Sequence, residues 1–142
     1  MHQVRRLWLA MALVSLAACV SPVIPMSPVT PSPIAISCQP FGYTPAPIAF
    51  SFAPGPVTAQ VAEETSVALF RACELPGAAI TGLTSSSTAS TGVRGGPNEG
   101  QPVWLVRVDA TVAEPSSGAS YESHFLIEVN QATGAPTIQG QG

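Results

Sequence analysis

The chain predicts an α+β fold, with one amphipathic helix packed on a small antiparallel sheet of three to four strands and a disordered proline-rich linker ahead of them. Three observations predict it. Residues 57–75 carry apolar side chains at helical spacing and stop at Pro76-Gly77. Residues 102–113 and 120–129 alternate apolar and polar side chains on either side of a Pro-Ser-Ser-Gly turn. Ten of the fifteen prolines fall between Ser21 and Pro56, a stretch without a charged residue. At 142 residues the chain has the length of one domain. Its five basic residues are all arginine, against eight acids. No cationic surface is available to neutralise phosphates, so nucleic acid is excluded as a partner.

The first element is an address. Arg5 and Arg6 precede an apolar run over residues 7–18 that only Ser15 interrupts. Twelve residues are too few to cross a hydrocarbon core, which takes about 20. The run has the length of the apolar segment of a secretory signal. It closes on Leu16-Ala17-Ala18-Cys19, which resembles the lipobox of bacterial lipoproteins. The resemblance implies removal of residues 1–18, a diacylglycerol on the Cys19 thiol and a further acyl group such as palmitate on its amine. Two or three acyl chains anchor stably where one does not. Val20 rather than Asp follows Cys19, so by the same resemblance nothing retains the protein at an inner membrane. The expected location is the cell envelope, at an outer membrane or the outer face of the cell membrane, with the membrane held through Cys19. Processing leaves 124 residues, three arginines against eight acids and a net charge of −5.

Residues 19–56 read as a linker or stalk. Proline every two or three residues over 21–33 fixes φ and removes donors, which favours an extended path. Thirteen such residues reach about 40 Å. From Ile34 onward apolar residues return, including Ile36, Phe41, Tyr43, Phe50 and Phe52, and these are expected to lie against the domain. With Cys19 lipidated, Cys38 and Cys73 remain, and an oxidising compartment favours a disulfide between them. It would close a loop of 36 residues and stabilise by about 4 kcal/mol on the chain-entropy estimate.

Residues 57–142 form the expected folded domain. On a helical wheel Val57, Val61, Thr65, Ala68, Leu69, Ala72 and Cys73 share one side of the helix, and Glu63, Glu64, Arg71 and Glu74 share the other. Pro56 fits the first turn. Residues 79–83 read as a short strand and the Ser/Thr/Gly-rich residues 84–101 as a mobile loop. In the first long strand Trp104, Val106, Val108, Ala110 and Val112 alternate with Leu105, Arg107, Asp109 and Thr111. In the second, Tyr121, Phe125, Ile127 and Val129 share one face, and Glu122, His124, Leu126 and Glu128 the other. Residues 130–134 turn the chain into a short last strand over 135–138.

That order, closing on Val129-Asn130-Gln131-Ala132-Thr133-Gly134, is similar to PepSY-type domains, small extracytoplasmic modules in which an antiparallel sheet packs on a helix. Such domains end in an aliphatic-Asp-x-x-Thr-Gly turn, and Asn130 stands at the Asp position; both residue types bond turn backbone. The resemblance covers residues 58–139, and residues 84–101 depart from it. It implies a binding or inhibitory module without catalytic residues.

The processed chain has one histidine, His124, and one aspartate, Asp109. An antiparallel pairing that sets Trp104 opposite Val129 sets Asp109 opposite His124, the geometry of the His-Asp dyad of a Ser-His-Asp hydrolase or of a solvated cross-strand pair. No Gly-x-Ser-x-Gly elbow accompanies it, so the expectation is not an enzyme, with no catalytic residue and no cofactor. One histidine and two separated cysteines do not make a zinc set, and the acids lack calcium-loop spacing, so no metal site is expected. Trp104 and Tyr121 share a face with Val106, Val108 and Phe125 and read as core. Arg107 and Leu126 on the outer face are the candidate partner-binding residues, with a pairing of Arg107 to Glu122 or Glu128 as the simpler role. The functional expectation is an anchored module that binds a protein or peptide partner and restrains or regulates a protease. The alternative is an envelope spacer without a specific partner, followed by a small hydrolase.

Overall fold

The structure, a computed structural model, describes residues 31–38 and 46–140. The elements in chain order are β1 (Ile34–Ile36), β2 (Ile48–Phe50), α1 (Ala59–Cys73), β3 (Ala79–Thr91), β4 (Pro102–Ala113), β5 (Ser120–Asn130) and β6 (Pro136–Gly140). β3 to β6 form one antiparallel sheet in sequence order, and β1 and β2 a separate antiparallel pair. The architecture is therefore α+β and mostly sheet, with the helix packed against antiparallel strands.

The helix begins after Thr58, whose side chain accepts the Val61 amide at 3.4 Å and satisfies one of the free donors of the first turn. Pro56 thus precedes the cap and is not in the first turn. The buried helix residues are Ala62, Ser66, Leu69, Phe70 and Cys73. This is a different stripe from the one the wheel predicts: Ala68 and Ala72 are exposed, and Phe70 is completely buried. The aromatic ring decides the rotation, because burying it outweighs burying two alanines. Phe70 meets Phe125 of β5 edge-to-face, with centroids 4.9 Å apart, a contact contributing about 0.5–1.5 kcal/mol beyond area burial.

Under the helix the sheet presents Val106, Val108, Ala110 and Val112 from β4 and Phe125, Ile127 and Val129 from β5, each 2% exposed or less. Strict alternation along β4 and β5 produces this face. The register follows the predicted one, with Trp104 opposite Val129 and Asp109 opposite His124. Trp104 donates its indole N–H to the Val57 carbonyl at 3.0 Å, tying the helix approach to the sheet.

The largest departure from the sequence pattern is β3. Residues 84–91, expected as the start of a mobile loop, pair with β4 from Thr84↔Asp109 to Thr91↔Pro102. A bulge between Thr81 and Thr84 inserts one extra residue, and Gly82 takes φ +60° there, a conformation that costs glycine little. Beyond the bulge the inward side chains are serines. Ser85 and Ser87 donate to the two carboxylate oxygens of Glu63 on the helix, at 3.3 and 2.5 Å. Hydrogen bonds to a carboxylate replace apolar contact there, so the strand carries no hydrophobic period to read.

The proline-rich stretch contributes to the packed unit. Ile36 and Phe50 are under 9% exposed and join the core, and Cys38 is fully buried. Cys38 and Cys73 form a disulfide with Cα atoms 5.4 Å apart, fastening this strand pair to the end of the helix.

Candidate functional site

The outer face of the sheet is built by the side chains that alternate with the core. At its centre, Arg107 sits opposite Leu126 and Asp109 opposite His124. Arg107 and Asp109 are two residues apart on one strand, so they project to the same side. Arg107 Nε donates to both carboxylate oxygens of Asp109, at 2.9 and 2.8 Å. His124 Nδ1 lies 2.6 Å from Asp109 Oδ1. The Arg107 hydrogen bond holds the Asp109 carboxyl below the ordinary aspartate range, with His124 adding to it against the opposing effect of partial burial. The same contact raises the Arg107 guanidinium.

The pairing partner of Arg107 differs from both acids that sequence suggests. Glu122 accepts instead from Thr111 Oγ1 at 3.0 Å. Glu128 is 1% exposed and accepts the Val93 amide at 2.9 Å. Arg107 therefore keeps its side chain 51% exposed while its Nε is fixed by Asp109. Leu126 beside it is half-buried. The pair brings an oriented cation and an aliphatic surface together on a rigid two-strand platform.

His124 and Asp109 have the relative placement of a base and its orienting acid, since Asp109 contacts Nδ1 rather than Nε2. Among the described residues, no serine, threonine or cysteine hydrogen-bonds to His124. The constellation is thus a three-residue hydrogen-bonded chain, Arg107–Asp109–His124, on an open face.

Sequence reasoning misses the segment over residues 92–101. It folds back over one end of the outer face, where the Val93 amide donates to Glu128 and Asn98 accepts from Asn130, and Glu128 and Asn130 are buried. Asn130 Nδ2 donates to Asn98 Oδ1 at 3.1 Å and Gln101 Oε1 at 2.9 Å. Asn130 Oδ1 accepts the Ala132 and Thr133 amides, at 2.9 and 3.1 Å, and so organises the turn after β5. Gly134 closes that turn at φ +75°, where a Cβ would stand 2.5 Å from the Ala53 carbonyl oxygen. Glu74, placed by the wheel on the polar side, is 4% exposed and accepts from Ser123 Oγ at 3.0 Å and Tyr121 OH at 3.1 Å. These carboxylates give no periodic signal, because their partners come from distant strands.

Cys19 and the segment 1–18 lie outside the described residues, as does half of the expected stalk, residues 19–30 and 39–45. Among the described residues, no helix is long and apolar enough to cross a membrane. No group of three or more His, Cys, Asp or Glu side chains among them is placed to hold a metal ion. No family model matches the chain, and no curated protein or solved structure matches it.

Proposed function

We propose that this chain is a lipoprotein of the cell envelope, anchored through lipid on Cys19, whose PepSY-like domain binds a protein or peptide partner on the outer face of its sheet. The observation that carries the binding part is the exposed Arg107, oriented by Asp109 and set against Leu126. An oriented guanidinium beside an aliphatic side chain suits a polypeptide surface with a carboxylate next to an apolar residue. Regulation or inhibition of a protease is the role the domain resemblance suggests. The anchoring part rests on Arg5, Arg6, the apolar run and Leu16-Ala17-Ala18-Cys19.

Two measurements test the reading. Cys19→Ala moves the chain out of the membrane fraction; a variant that stays membrane-bound contradicts the anchor. A photocrosslinker at position 126 in intact cells yields a discrete polypeptide adduct, and Arg107→Ala reduces it at least about fivefold, on the order of one charged hydrogen bond. Absence of any adduct contradicts the partner.

A further inference from the structure

One edge of the main sheet is open. β3 is its first strand and pairs only with β4, so among the described residues no strand lies on its other side. The hydrogen bonds at the end of the hairpin fix which backbone groups of β3 are free. Gly92 donates its amide to the Gln101 carbonyl, so residue 92 bonds toward β4. The next pair is Thr91 with Pro102. Proline has no amide to donate, and the Pro102 carbonyl accepts from Gln131, just past β5. Thr91 therefore turns its amide and carbonyl away from β4. In an antiparallel ladder this direction alternates, and the register runs without a break from Thr84 to Thr91. Ser85, Ser87, Ala89 and Thr91 thus each present one amide and one carbonyl to the open edge.

Natural edge strands are blunted by lysine, proline, inward charges or a bulge. Residues 84–91 contain no charged residue and no proline, and the bulge lies before them, between Thr81 and Thr84. The segment that follows leaves in the other direction, since the Val93 amide reaches Glu128 of β5. The Ser85 and Ser87 hydroxyls are drawn onto Glu63 of the helix.

The pattern of free groups selects the occupant. The outward residues 85, 87, 89 and 91 are symmetric about Thr88. A second copy of β3, laid antiparallel with Thr88 opposite its counterpart, sets Ser85 against Thr91 and Ser87 against Ala89, each twice over. Every outward group then meets an outward group of the other copy, in about eight main-chain hydrogen bonds. On the exposed face Thr88 meets Thr88 and Ser86 meets Ser90, hydroxyl pairs that are favourable across strands. The two Glu63 carboxylates stay apart. With Ser86 opposite Ser90, the two copies of Ser86 are four residues apart along the strand, about 13 Å, which exceeds a Debye length in physiological salt. The chain's own segments outside the described residues are poorer candidates, because prolines at 22, 25, 28, 40 and 45 withhold donors.

We propose that two copies of this chain join through β3, antiparallel about Thr88, into one continuous sheet. The contact is isologous and closes at two copies. A strand-edge pair is smaller than a standard interface of about 1,600 Å², so association is weak and concentration-dependent. It is independent of the outer-face reading, which stands whether or not the chain pairs.

The full chain is followed by sedimentation and amide hydrogen exchange from about 1 µM to about 1 mM. Its mass doubles across that range. Ser85, Ser87, Ala89 and Thr91 gain at least about tenfold protection, while Ser86, Thr88 and Ser90, already bonded to β4, do not change. Ala89→Pro removes an outward donor without touching a bond to β4 and keeps the chain monomeric, with an unchanged circular dichroism spectrum. Thr88→Cys brings two Cα atoms to about 4.5 Å, within disulfide reach. With diamide as oxidant it gives a reducible dimer that the wild-type chain does not give. Thr84→Cys, which faces Gly92 of the other copy, gives at least about tenfold less. A chain that stays monomeric to about 1 mM, protection of the four outward amides already in the dilute monomer, or equal crosslinking at 84 and 88 overturns the proposal.

Discussion

The two faces of the β4–β5 hairpin are made by the same backbone and differ only in which alternate residues they show. The inner face is valine, alanine, isoleucine and phenylalanine, closed by α1 and nearly free of solvent. The outer face carries Arg107, Asp109, Thr111, Glu122 and His124, joined by exposed or part-buried side-chain contacts. Burial of a large apolar side chain contributes about 1.5–3 kcal/mol. Exposed ion pairs contribute at most about 1 kcal/mol each. The difference teaches where stability and recognition sit. The inner face holds the fold together, and the outer face around Arg107 and Leu126, away from buried Glu128 and Asn130, is open to substitution and to contact.

The largest effect that separates the faces is expected at the aromatic pair. Phe125→Ala removes the partner of Phe70 from the packed side of β5 and should cost about 3–5 kcal/mol, read from the denaturant midpoint. A loss below about 1 kcal/mol would mean that the helix does not close on this face. Next comes the disulfide. Reducing Cys38–Cys73, or replacing both cysteines by serine, should lower stability by about 2–4 kcal/mol and loosen β1 and β2 first in hydrogen exchange. Equal exchange in the reduced and oxidised chains would show that the proline-rich strands hold without it. Glu63→Ala, which strands Ser85 and Ser87, should cost about 1–2 kcal/mol and raise exchange along residues 84–91. No change in exchange there would show that the strand does not depend on the carboxylate.

The smallest effect is the most specific to the outer face. The Asp109 carboxyl titrates below its unfolded value, so its ionised form favours the folded state. That contribution is present above about pH 4, the ordinary aspartate range. It is lost as pH falls through the lowered folded value. The wild-type chain should therefore exceed Asp109→Asn in stability at pH 7, with the gap closing in acid. A gap that widens on acidification would contradict the Arg107–Asp109 contact as the cause.

Much of the fold is legible where burial follows a period. β4, β5 and their register can be read from alternation, because most core-facing residues are apolar and most outer ones polar, with Leu105 and Leu126 outside and Ser123 inside as exceptions. The disulfide between Cys38 and Cys73 is the pairing expected from the sequence, and the structure forms it. Legibility fails where carboxylates do the work of apolar side chains. Glu63 binds two serines of β3, Glu74 binds Tyr121 and Ser123, and Glu128 binds the Val93 amide. In each case the partner lies at least 22 residues away in sequence, and no local pattern announces it. The site is legible in part for the same reason. Arg107, Asp109, His124 and Leu126 share a face by alternation, whereas the burial of Glu128 and Asn130 depends on how residues 92–101 fold back.

The division between the faces is tested most directly by the double variant Arg107→Ala/Leu126→Ala, measured at once for its denaturant midpoint and for the photocrosslinked adduct formed in intact cells from a probe at Thr111 on the same face. The account predicts a stability change within about 1 kcal/mol, as for surface substitutions, and loss of the adduct by at least about tenfold. A fall in stability comparable to that of Phe125→Ala, or an adduct of undiminished yield, would contradict it.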